Sequence, residues 1–136
     1  MSTTALAVVG YAGWTLGLLG GIAALRGGLT VSGRRAANAF AVTGEDVSAF
    51  SARLCRAHAN CYENLPVFAA LCLVALVTSH AAVTDPLAPW AVASRIAQSV
   101  THLTSTSVRA VQLRFGFFLV QFVIQIVWVV RLASSL

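Results

Sequence analysis

Long uncharged runs, broken by arginines, set the pattern of this chain. Met1 to Leu25 holds no charged residue and is closed by Arg26. Asn64 to Thr84 holds 21 uncharged residues, closed by Asp85 and Pro86. Phe115 to Val130 holds 16 more, between Arg114 and Arg131. A more polar stretch, from Pro89 to about Val108, carries Arg95, His102 and a Thr/Ser cluster. A helix needs ~20 residues to cross ~30 Å of hydrocarbon. The first two runs meet that length alone, and the last meets it when its flanking arginines extend to the headgroups. The polar stretch is the weakest span and needs shielding by protein rather than lipid. The pattern predicts an all-α integral membrane four-helix bundle, one transmembrane domain over residues 1–136. Its helices are expected at about 4–27, 46–82, 87–107 and 109–133.

Tyr11, Trp14, the length of the first run and its lack of a basic leader predict a retained helix rather than a signal peptide. Gly13, Gly17 and Gly21 recur every four residues along it, a small-residue ridge suited to close helix packing. Composition points the same way. Hydrophobic residues make up 58% of the 136-residue chain, charged residues 10%, and mean hydropathy is +0.82. Soluble domains carry about 25% charged residues, so an ordinary soluble enzyme, a disordered chain and a disulfide module are all excluded.

The net charge of +5 comes from nine arginines and no lysine. They border apolar runs instead of forming a basic face, which argues against nucleic acid as a partner and for the lipid bilayer. Arg26, Arg34, Arg35, Arg53 and Arg56 crowd the first connection, and Arg109 and Arg114 lie at the third. The positive-inside bias predicts both of these in the cytoplasm and both termini outside it, in the inner (cytoplasmic) membrane of a bacterium. Cys55, Cys61 and Cys72 form no C-x-x-C pair and no metal spacing with a histidine, so they read as small apolar fillers and no metal is expected.

Two polar stripes carry the chemistry. On the second helix Arg53, Arg56, Asn60 and Glu63 fall at offsets 0, 3, 7 and 10, one helical face. A carboxylate entering the bilayer costs ~2.5 kcal/mol or more unless it is shielded or paired. Such a face suits an elongated zwitterion, its carboxylate on Arg56 and its amine on Glu63. Pro66, one turn deeper, frees the carbonyl of Tyr62 and invites a bend. On the third helix Arg95, Gln98, His102, Ser105 and Arg109 fall at offsets 0, 3, 7, 10 and 14. The same groups also serve as interhelical hydrogen bonds, or as interfacial anchors where they are arginines.

The string Arg56-Ala-His-Ala-Asn60-Cys-Tyr-Glu63-Asn-Leu-Pro66 resembles the signature of the MAPEG superfamily, the membrane-associated proteins in eicosanoid and glutathione metabolism. The resemblance covers the whole chain, including Arg34-Arg35 in the long first connection and the spacing of Arg95 and Arg109. It implies a homotrimer with glutathione sites between subunits, open to the cytoplasm. By that resemblance Arg56, Asn60 and Glu63 hold glutathione as co-substrate, with Arg35 at the mouth. Arg95, Gln98 and His102 contribute from the third helix. Arg109 matches the arginine that stabilises the thiolate, and Arg114, in the string Gln112-Leu-Arg114, competes for that role. Family members often carry Tyr or His where this chain has Gln98, Tyr where it has His102, and in some members Tyr where it has Asn64.

The implied function is conjugation of glutathione to a hydrophobic small-molecule electrophile, with a glutathione peroxidase activity as a companion. Two other classes fit the bare pattern. A small multidrug exporter also has four short helices and one acid, but it wants that acid near the midplane, away from arginines. A non-catalytic membrane scaffold needs no site at all.

Overall fold

The structure is a computed structural model describing residues 1–136. It is all-helical: α1 (Thr3–Val31), α2 (Ala49–Val77), a single turn α3 (Ala81–Thr84), α4 (Ala88–Thr104) and α5 (Val108–Ser135). Helices α1, α2 and α5 are each long and apolar enough to cross a membrane. At 1.5 Å per residue they reach roughly 42 Å or more, past the hydrocarbon on at least one side. Helix α4 has 17 residues and is the most polar of the four long helices. It packs against α1, α2 and α5 and buries Ser94, Arg95, Gln98, Ser99 and His102. Its polar face is thus turned to protein.

Backbone chemistry explains where the helices stop. Helix α1 runs past the expected residue 27 to Val31. Gly33, at φ 71°, then takes the left-handed position that closes the helix: Gly33 N–H donates to the Thr30 carbonyl and Arg34 N–H to that of Leu29. Helix α2 ends in the same way at Val77 instead of continuing to 82. Ser79 takes φ 63°, and the Ser79 and His80 amides close onto Leu76 and Ala75. Its start shifts from 46 to Ala49, because the Ser48 hydroxyl caps it by accepting from the Ser51 amide at 3.0 Å. Pro66 lies inside α2, which continues through it.

The core joins three helices through aromatic rings. Tyr11 of α1 lies 5.0 Å from Phe68 of α2, which lies 5.8 Å from Trp128 of α5, centroid to centroid. The three cysteines are buried and unpaired. Large apolar side chains such as Leu16, Val67 and Phe122 face outward, the arrangement of a chain whose surroundings are not water. The glycine ridge is used within the chain only at its end. A Cβ on Gly21 would meet Leu54 at 3.4 Å, whereas Gly13 and Gly17 have nothing within 4 Å.

At one end, Asp85 ties the start of α1 to the link before α4. Its Oδ1 accepts from the Ser2 hydroxyl at 2.6 Å, the Thr4 hydroxyl at 2.7 Å and the Thr4 amide at 2.8 Å. These hydroxyls, Ser2 first, and then the amide hold its carboxyl well below the usual carboxylate range.

Candidate functional site

The long first connection packs on itself. Arg35 pairs with the carboxylate of Asp46 and donates to its carbonyl at 2.7 Å. The Ala41 amide donates to the same carboxylate at 3.0 Å. That amide first, and Arg35 after it, lower the Asp46 pKa. The Phe40 ring lies between two guanidiniums, 5.6 Å from Arg26 and 5.5 Å from Arg35. Arg35 is therefore occupied within the loop and does not join Asn60 or Glu63. Arg56 is exposed and reaches only Glu45, at 3.3 Å.

Asn60, His102 and Arg114 are brought together from three helices. The Asn60 amide nitrogen donates to the Arg56 carbonyl at 3.0 Å and lies 3.1 Å from His102 Nε2. On the other side of the imidazole, Arg114 Nη1 is 2.6 Å from His102 Nδ1. The two polar stripes thus face each other, with His102 at the level of Asn60.

The expected stripe on α4 is broken at its end. A face shared by Arg95 and Arg109 requires one helix through residue 109, but α4 stops at Thr104 and Ser105 is extended. The Ser105 hydroxyl accepts from the Ser107 amide at 3.1 Å. Ser107 in turn caps α5 by accepting from the Ala110 amide at 3.2 Å. Serine hydroxyls competing with the backbone helix bonds end one helix and start the next. Arg109 falls in the first turn of α5, exposed and without a hydrogen-bond partner in the chain.

Deeper along the same groove lies a cleft of about 330 Å³, formed by α2, α4 and α5. Its polar wall is Asn60, Glu63, Asn64, Arg95 and Gln125, and its apolar wall Val67, Phe118 and Phe122. The volume is at the lower end for small-molecule sites. Arg95 is 2% exposed. Its Nη1 donates to Gln98 Oε1 at 2.9 Å, its guanidinium lies 5.8 Å from the Tyr11 ring, and its Nε has no partner. Gln98 is held from the far side by Gln121, at 3.1 Å. It therefore positions Arg95 rather than lining the cleft. Glu63 is exposed and forms no ion pair within the chain.

The two stripes left out α5 beyond Arg109, where the sequence offered only Arg114 as a candidate site residue. Gln125 donates to Asn64 at 2.7 Å, and Phe118 and Phe122 stack with centroids 5.9 Å apart. Arg114, Phe118, Phe122 and Gln125 follow at steps of four, four and three residues, one helical face. That periodicity was the available signal, hidden in a run where most residues are apolar.

These features define an all-helical membrane protein with a polar cleft opening between its helices. The chain belongs to the MAPEG family, whose sequence profile matches residues 4–134. Comparison with curated proteins and with solved structures finds no match.

Proposed function

We propose that this chain is a membrane-bound glutathione transferase acting on hydrophobic electrophiles, with a glutathione-dependent peroxidase activity on lipid hydroperoxides. Arg114, rather than Arg109, is the residue that stabilises the thiolate. The observation that carries this reading is the convergence of Asn60, His102 and Arg114 directly above a cleft containing Glu63 and Arg95. Family membership supports glutathione as the co-substrate. Glutathione is a zwitterion with two carboxylates, one amine and one thiol. Arg56 suits a carboxylate, Glu63 the amine and Arg114 the sulfur, while Arg95 contributes positive potential from beneath.

The chemistry needs little more than charge and proximity. A free thiol with pKa ~8.5 is mostly protonated at neutral pH. A guanidinium within ~4–6 Å favours the anion, and lowering the pKa by two units takes ~2.7 kcal/mol of differential interaction. An apolar electrophile dissolved in the bilayer reaches the thiolate along the Phe118–Phe122 wall, with no covalent enzyme intermediate. The sulfur attacks, the leaving group departs with its electron pair, and the thioether product carries no charge on sulfur.

The site belongs to a homotrimer in this reading, completed by a neighbouring copy and open to the cytoplasm, with both termini on the other side. Exposed Glu63 and the unused Gly13 and Gly17 face are consistent with a second copy. The test is turnover of purified protein with glutathione and an aryl halide such as 1-chloro-2,4-dinitrobenzene. Saturable turnover that collapses in Arg114→Ala supports the reading. Absence of both turnover and glutathione binding removes it.

A further inference from the structure

We propose that His102 is the positioning residue for Arg114: its Nδ1 lone pair holds the guanidinium in the empty site and releases it, with a change of imidazole tautomer, when an anion arrives. The identity of that anion as the glutathione thiolate rests on the function proposed above. The hold on Arg114 does not.

Counting protons fixes the roles at His102. Arg114 has only donors, so His102 Nδ1, 2.6 Å from its Nη1, must be the acceptor. A neutral imidazole then carries its proton on Nε2. That proton points at the Asn60 amide nitrogen, 3.1 Å away, which is itself a donor because it serves the Arg56 carbonyl at 3.0 Å. Turning the Asn60 amide over only moves the conflict, since its oxygen would then face the Arg56 carbonyl oxygen. A doubly protonated His102 sets two cations donor to donor. No assignment of protons satisfies all three contacts.

The charge-assisted contact to Arg114 is the strongest of the three and decides the tautomer. His102 is held as the Nε2–H form, with one donor left over beside Asn60. An anion that draws Arg114 away removes the conflict. Nε2 then becomes an acceptor for Asn60, and the proton moves to Nδ1, where it is a second donor to the anion. The Arg114–His102–Asn60 cluster is thus short of one acceptor, which an anionic guest supplies. Arg114 on α5, Arg56 on α2 and Arg95 on its own helix surround His102 with positive charge, and Arg53 of α2 donates to the adjacent Leu103 carbonyl at 2.9 Å.

The experiment is nitrogen NMR of the full-length protein, labelled at its histidine rings and reconstituted in lipid, with His102 assigned by the loss of its signal in His102→Gln. The expected spectra show Nε2–H for His102 in the free wild type, and Nδ1–H both in Arg114→Leu and in the wild type saturated with glutathione sulfonate. A free wild type in the Nδ1–H form, or an Nε2–H form that persists in Arg114→Leu or beside bound glutathione sulfonate, overturns the proposal. Failure of glutathione sulfonate to bind at all removes the glutathione reading, and the ligand-free comparison still decides whether His102 holds Arg114. Kinetics add a second readout. Glutamine presents a carbonyl to Arg114 and, after an amide flip, an N–H to the guest. His102→Gln keeps the KM for glutathione within about threefold, whereas His102→Leu raises it about tenfold or more. Equal KM values for the two variants contradict the proposal.

Discussion

Two polar clusters at opposite ends of this molecule follow opposite rules. Around Asp85 donors and acceptors converge: one carboxylate oxygen takes three donors from Ser2 and Thr4, and Thr84 lies 2.8 Å from the Thr4 hydroxyl. Around His102 and Arg95 the matching fails. Arg95 Nε and Gln121 Oε1 are buried without partners, Glu63 has no cation, and His102 sits between two donors. A closed cluster fastens helices together. A cluster whose carboxylate, Glu63, is exposed and unpaired beside the buried Arg95 keeps charge available for a guest.

That contrast breaks if the wrong end controls activity. The largest effect is expected from Arg114→Ala, which lowers kcat/KM in the aryl halide assay by about a hundredfold, roughly 2.7 kcal/mol of transition-state stabilisation. Glu63→Gln weakens glutathione binding about tenfold by calorimetry, the loss of one charge-assisted contact. Asp85→Asn leaves kcat/KM unchanged and lowers the melting temperature by a few degrees, since a helix-cap contact contributes ~1 kcal/mol.

The pH dependence of that stability has a definite sign. The folded-state pKa of Asp85 lies below its ordinary value of 3.8, so its contribution is present above that value and is lost as pH falls toward the folded one. The gap in melting temperature between wild type and Asp85→Asn therefore begins to narrow as pH falls through about 5 and keeps narrowing below about pH 2. The smallest effects are expected from Glu45→Gln, whose pairing with Arg56 is solvent-exposed, and from Arg109→Ala. Neither shifts kcat/KM by more than about twofold.

Much of the fold was legible because uncharged runs and arginine borders reflect the cost of placing charge in hydrocarbon. The stop of α1 at Gly33 was placed too early, at about 27, although glycine takes a left-handed turn without a Cβ penalty. Ser79 performing the same turn at the end of α2 was not readable, because nothing local distinguishes that serine from its neighbours. The α2 stripe was visible as a spacing. The fate of Arg109 was hidden in Thr104–Ser107, where hydroxyl–backbone bonds win over continued helix. The spacing of Arg95 and Arg109 therefore suggested a face that does not exist. Arg114 was named only as a rival of Arg109, and its meeting with His102 follows from the packing of α5 on α4.

Arg114 is the residue proposed to turn glutathione into its thiolate in this site. The most direct measurement is the ultraviolet thiolate absorbance that appears on mixing glutathione with the protein near neutral pH. This signal is expected in the wild type and in Arg109→Ala, and is lost in Arg114→Ala at glutathione concentrations that still saturate the site. A thiolate signal that survives in Arg114→Ala, or vanishes instead in Arg109→Ala, contradicts it.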